Sequence, residues 1–139
     1  MSEVKIVKTG GPYLIKSTDY YILCRDLNTL SSQLLGDCSY NEITPVESFN
    51  DGFKYLFDVV FQQYEDSMFF YVPIRYKLQV NSKVYSVSYF TWEDSKYIVF
   101  SDLFSPDENE SISSKTIEFN DIDRICFDAL DHSLCFICK

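Results

Sequence analysis

The amino-acid sequence predicts an α+β fold, with two or more helices packed on a mostly antiparallel β-sheet in a single domain spanning 1–139. Three observations lead there. One long segment, PVESFNDGFKYLFDVVFQQYED, repeats apolar residues at helical spacing. After Asp66 the chemistry turns to β-forming runs separated by short turn-like breaks. The chain's 139 residues, 46% hydrophobic and 17% aromatic, suffice for one buried core without help from disulfides or metals.

From the N-terminus, EVKIVK alternates Val4 and Ile6 with charged residues, the period of an edge or half-buried strand, and TGGP at Thr9 to Pro12 makes a turn. A second strand follows at Tyr13 to Lys16 or at Tyr20 to Cys24. The apolar spacing then changes to Leu23, Leu27, Leu30 and Leu34, with Gly36 placed to end the segment. That spacing predicts a short helix over Asp26 to Leu35. In the long segment Phe49, Phe53, Leu56, Phe57, Val60 and Tyr64 form one apolar stripe of the kind that packs on a sheet. Gly52 stands inside that helix at a cost of about 1 kcal/mol relative to Ala.

SMFFYVPIRYKLQV, VYSVSYFTW and KYIVFSDLF, separated by NSK and EDS, read as consecutive strands of an antiparallel meander. Pro73 begins or interrupts the first, because proline cannot donate to a ladder. The chain closes with TIEF, NDIDRICFDAL and SLCFICK. Ile122, Ile125, Cys126 and Ala129 have helical spacing behind Asn120 or Asp121 as a cap, which favours a helix or turn there. Ile125 and Phe127 also suit a strand, and a terminal strand follows.

The net charge of -9 is unevenly spread. Residues 1–60 carry eight acids and five bases, 61–101 four of each, and 102–139 nine acids and three bases. A net-negative surface repels phosphate backbones and anionic lipid, so a basic protein is the expected partner, with no direct nucleic-acid or membrane binding. An acidic excess also serves solubility by itself. The N-terminus lacks a secretory apolar core and no run approaches a membrane span, which places the protein in the cytoplasm as an expectation.

No catalytic set emerges. His132 is the single histidine, and Asp131, His132 and Ser133 are sequence neighbours that point in different directions, which is not triad geometry. Cys126, His132, Cys135 and Cys138 bring soft ligands together, but a lone C-x-x-C is a weak zinc signal and on a strand its two thiols face opposite sides. Asp94 to Lys96 offers the acid-x-Lys pair of a metal-dependent nuclease, in a segment that reads as a solvated turn. Pro106 to Ser111 lacks the spaced ligands and glycine of a calcium loop, and no phosphate-binding glycine pattern exists. Neither metal nor cofactor is expected, and a small metal-dependent enzyme stays as a further alternative.

Eleven Tyr, twelve Phe and one Trp exceed what a core of this size needs. Aromatics among acids make an anchoring surface for a cationic partner. The expected contact residues are Asp102, Asp107, Glu108, Glu110, Glu118, Asp121 and Asp123, together with Tyr85, Tyr89 and Trp92; Tyr97 lies close by. In overall character, rather than in any motif, the chain resembles the immunity proteins that bacteria pair with secreted toxins, including those of contact-dependent growth inhibition. The resemblance implies a cognate basic toxin domain, nuclease-like, whose active site or substrate surface is blocked. The alternative is a phage or viral inhibitor that mimics the charge of DNA.

Overall fold

A computed structural model of the chain describes residues 12–17, 20–25, 40–66, 74–93 and 96–139. The chain gathers into two compact units, Met1–Phe70 and Tyr71–Lys139. The fold is mostly β, with a single α-helix among the described residues, which corrects the expected α+β arrangement of two or more helices. The expected strand at EVKIVK and helix at Asp26 to Leu35 lie outside the described residues. No described helix is long and apolar enough to cross a membrane.

In the first unit, β1 (Tyr13–Ser17) pairs antiparallel with both β2 (Tyr20–Cys24) and β3 (Tyr40–Pro45). Both candidate second strands are therefore strands, joined as a hairpin. Their apolar runs, Tyr13 to Ile15 and Tyr21 to Cys24, are buried without alternation, which is the pattern of strands covered on both faces. The helix α1 (Phe49–Asp66) begins where Ser48 caps it, its hydroxyl accepting the Asp51 N–H at 3.0 Å. Phe49, Phe53 and Leu56 carry the buried stripe, and the Arg25 guanidinium lies 4.0 Å from the Phe49 ring centroid.

At Gly52, α1 lies close against Leu23 of β2. A Cβ there would run into Leu23 Cδ1 and stand 3.2 Å from Val46 Cγ2. Helix propensity favours Ala at this position by about 1 kcal/mol, whereas overpacking a filled site costs about 1–3 kcal/mol. Gly52→Ala is thus expected to lower stability by roughly 1 kcal/mol instead of raising it. Denaturant melts check this, and Leu23→Val in the same chain should recover part of the loss by removing the clashing methyl.

The second unit holds β4 (Arg75–Val80), β5 (Lys83–Glu93), β6 (Tyr97–Ser105), β7 (Glu110–Glu118), β8 (Ile122–Asp128) and β9 (Ser133–Cys138). Within it the strand order is β8-β9-β4-β5-β6-β7. The β4 to β7 meander is antiparallel as the turn spacing suggests, while β4 and β9 run parallel. Asn81 and Ser82 both take positive φ, 51° and 67°, as a two-residue hairpin turn requires.

Segment 122–128 is a strand, not a helix, and its misleading spacing has a local cause. The β8–β9 register slips between Ile122 and Arg124, so one extra residue puts Ile122 and Ile125 on the same buried face three positions apart. The bulge imitates a helical period. Only Phe119–Asp121, ahead of it, turns as a short 3-10 segment.

Those three residues also force the sheet to roll. β7 and β8 are consecutive in the chain yet occupy opposite ends of the six-strand order. In a flat sheet five steps of about 4.8 Å would separate them by about 24 Å, more than the roughly 14 Å that four Cα steps can span. Rolling brings Phe136 of β9 onto Phe90 of β5 and Phe100 of β6, each with ring centroids 5.1 Å apart, although β4 lies between. Tyr76 closes edge-on against Phe90 at 5.1 Å, and Leu78, Ile98, Leu103, Ile125, Phe127 and Leu134 complete a dry interior.

Candidate protein-binding face

Rolling divides every strand of the second unit into an inner and an outer side. On β5, β6 and β7 the inner residues do not alternate strictly. Val87 and Phe90, Phe100 and Leu103, and Ile112 and Lys115 are each three apart, with the slip at one level across all three strands, because Val87 pairs with Leu103 and Leu103 with Ile112. Asp102 sits at that slip with φ 53°, and the Ser88 hydroxyl donates to its carbonyl oxygen at 3.2 Å. A left-handed residue reverses the direction of the side chains that follow, and Asp is among the few types that tolerate it. Asp102 is exposed but also has this backbone duty, which its charge alone did not suggest.

The slip leaves two successive residues facing outward on each strand, and the outer side becomes a stripe of rings set among small hydroxyls. Tyr89 is 54% exposed, Tyr97 42%, Phe104 40% and Val84 37%. These are four of the six large hydrophobic residues that the described chain leaves exposed; the others are Tyr55 on α1 and Leu130 at the β8–β9 hairpin tip. Exposed Ser86, Ser88, Thr91, Ser111, Ser113, Ser114 and Thr116 lie between the rings. From Tyr97 to Phe104 the stripe runs about 23 Å along β6, the scale of a protein footprint.

Acids stand at both ends. Glu118 is the register partner of Tyr97, and Asp121 is exposed in the short turn just beyond. At the other end Asp107, Glu108 and Glu110 surround the β6–β7 turn. Lys83 holds two of these, with its Nζ 2.6 Å from Glu108 and 3.5 Å from Glu110. The hydrogen bond from Lys83 lowers the Glu108 carboxyl below the usual range, and the same bond raises the Lys83 ammonium. Asp107 remains the exposed carboxylate of this turn with no ion pair to Lys83.

A depressed carboxyl contributes stability above its unfolded pKa and loses it as pH falls through the folded value. The Lys83–Glu108 contact should therefore stabilise the chain at neutral pH and fade below about pH 4. Lys83→Met is expected to lower the melting temperature slightly at pH 7 and to leave it unchanged near pH 2, as thermal melts at both values will report.

The remaining expected contact residues fall elsewhere. Tyr85 faces the core, 5% exposed, with Lys83 5.7 Å from its ring centroid. Trp92 is half-buried against Phe119, with ring centroids 5.4 Å apart. Asp123 is half-buried at the β8 bulge. Asp128, which the sequence reading did not single out, accepts the N–H groups of Leu130 and Asp131 at 2.9 and 3.2 Å and so shapes the β8–β9 turn. Asp131 pairs with Lys77 at 3.3 Å, which holds its carboxyl low. His132 takes φ 55°, and its carbonyl accepts the Arg75 N–H at 2.7 Å. Tyr97 and Phe104 join the face; the sequence signal for Phe104 was the slipped alternation in YIVFSDLFS.

Among the described residues no three His, Cys, Asp or Glu side chains gather as a metal site. Burial pushes the Cys138 thiol up to about 11, with the Asp121 carboxylate adding to it. No protein-family model, no curated protein and no solved structure matches the chain.

Proposed function

We propose that this chain is a non-enzymatic acidic binding protein, an immunity protein that neutralises a basic toxin domain in the cytoplasm by covering its active site or substrate surface. One observation carries the reading: the exposed rings of the second unit collect on one stripe of β5, β6 and β7, and carboxylates stand at both of its ends. Rings that surrender water supply affinity, and peripheral charges steer encounter and set its salt dependence. A DNA mimic calls for a regular row of carboxylates. Here Ser and Thr fill the outer side of β7 between Glu110 and Glu118, so that alternative ranks behind.

The test begins with capture of the tagged chain from its own host, coexpressed with the products of adjacent genes, at low and moderate salt. The expected product is one basic polypeptide, retained at one-to-one stoichiometry, whose toxicity the chain relieves. Asp107→Lys, Glu118→Lys and Asp121→Lys together should then slow association by about tenfold or more at low salt. Capture of no toxic basic polypeptide, or a change of less than a few-fold on reversal, would count against the reading.

A further inference from the structure

The three cysteines of the C-terminal hairpin are not arranged as their spacing suggests. Cys135 and Cys138 form the C-x-x-C, yet Leu134 and Phe136 face inward, so along β9 Cys135 faces outward and Cys138 inward. The register instead sets Cys126 of β8 directly opposite Cys135. Ile125 with Phe136, and Phe127 with Leu134, are the buried pairs on either side, so both thiols share the outer side, and both are half-buried. Lys77 is the register neighbour of Cys135 on β4. Arg124 lies two residues before Cys126 on the same side of β8.

We propose that Cys126 and Cys135 form a reversible cross-strand disulfide, a redox modification site whose oxidant is a small-molecule disulfide of the glutathione class. Opposed residues on antiparallel strands have Cα atoms about 4.5–5.5 Å apart, inside the range of about 4.4–6.8 Å that a disulfide spans. Their Cβ atoms, about 4.5–5.5 Å apart, need only a small closure. A small approach of the two strands supplies it. Burial raises the Cys135 thiol, while Lys77 and Arg124 pull it back toward thiolate, so exchange is available but slow at neutral pH.

The step balances. One thiol of the pair loses its proton and the thiolate attacks a sulfur of glutathione disulfide, releasing one glutathione thiolate and leaving a mixed disulfide. The second thiol loses its proton and displaces the other glutathione, closing the Cys126–Cys135 bond. Two thiols give up two electrons and two protons, and one glutathione disulfide becomes two glutathiones. The site lies on a continuous outer row, Cys126, Cys135, Lys77, Ser86, Phe104 and Ser111, which sets Cys135 three strands from Phe104 of the ring stripe.

The test uses the full reduced chain, folded in buffer and separately in denaturant, incubated with glutathione disulfide, alkylated, and cleaved at Asp128 or Asp131 so that the two cysteines part. The folded chain should lose the mass of two hydrogens and show the Cys126–Cys135 linkage enriched about tenfold over the denatured chain, as holding two groups together raises their effective concentration. Cys138→Ser should preserve that loss and Cys135→Ser abolish it. Should Cys135→Ser fail to fold, the linkage map of the unmodified chain decides alone. Glutathione adducts that never close, a dominant Cys135–Cys138 bond, or no enrichment over the denatured chain would each overturn the proposal.

Discussion

Phe136→Ala is expected to cost about 3–5 kcal/mol of stability, a large part of the roughly 5–15 kcal/mol that holds a domain folded. The ring is fully buried and touches both Phe90 and Phe100 across the rolled sheet. Its loss therefore opens a cavity at the point where distant strands meet. The neighbours cannot collapse into it without unrolling the sheet, which the three-residue β7–β8 connection resists. Chemical denaturation should show a lower midpoint with cooperativity retained, and Phe104→Ala, on the exposed side of β6, should change stability by less than about 0.5 kcal/mol. Equal effects for the two would mean that the inner and outer sides are wrongly assigned.

Tyr89→Ser combined with Tyr97→Ser should weaken the cognate complex by about 2–4 kcal/mol, the scale of a lost hot spot. The loss should appear mainly as faster dissociation, because ring burial acts after encounter. Melting temperature should hardly move, since both rings are more than 40% exposed in the isolated chain. Charge reversal at Asp107, Glu118 and Asp121 acts on association instead, so the two sets of variants separate anchoring from steering. Tyr85→Ser provides the contrast: its ring is buried, and its loss should lower stability first. Surface plasmon resonance beside thermal melts resolves all three, and an unchanged dissociation rate for the tyrosine double variant would remove the stripe as the contact.

Much of the strand content was legible. Period-two alternation located β4, β-forming runs between turn-like breaks located β5 and β6, and the Phe49, Phe53 and Leu56 stripe located α1. Two errors have one origin, a residue inserted into an alternating pattern. In NDIDRICFDAL a bulge made a strand look helical, and in VYSVSYFTW and YIVFSDLFS a shared slip hid which aromatics face out. Sequence spacing could register the slip but not which side was buried. That is why Tyr85 and Trp92 entered the expected contact surface while Phe104 did not. β3 and most of β7 went unseen because YNEITP and ESISSK are too polar to announce a strand and are held there by pairing with β1 and β6.

The chain's own chemistry determined where α1, β4, β5, β6 and β9 lie, how acidic the chain is, and that residues 102–139 carry six of its nine net negative charges, because propensity, local periodicity and charge are properties of neighbouring residues. Only the tertiary structure decided the parallel pairing of β4 with β9, the roll of the sheet, the placing of Cys126 opposite Cys135, and the division of the aromatics between core and stripe. Each of these depends on residues far apart in sequence meeting at one register. Register is chosen by which arrangement buries the most apolar surface at once, a sum over the whole unit that no single segment contains.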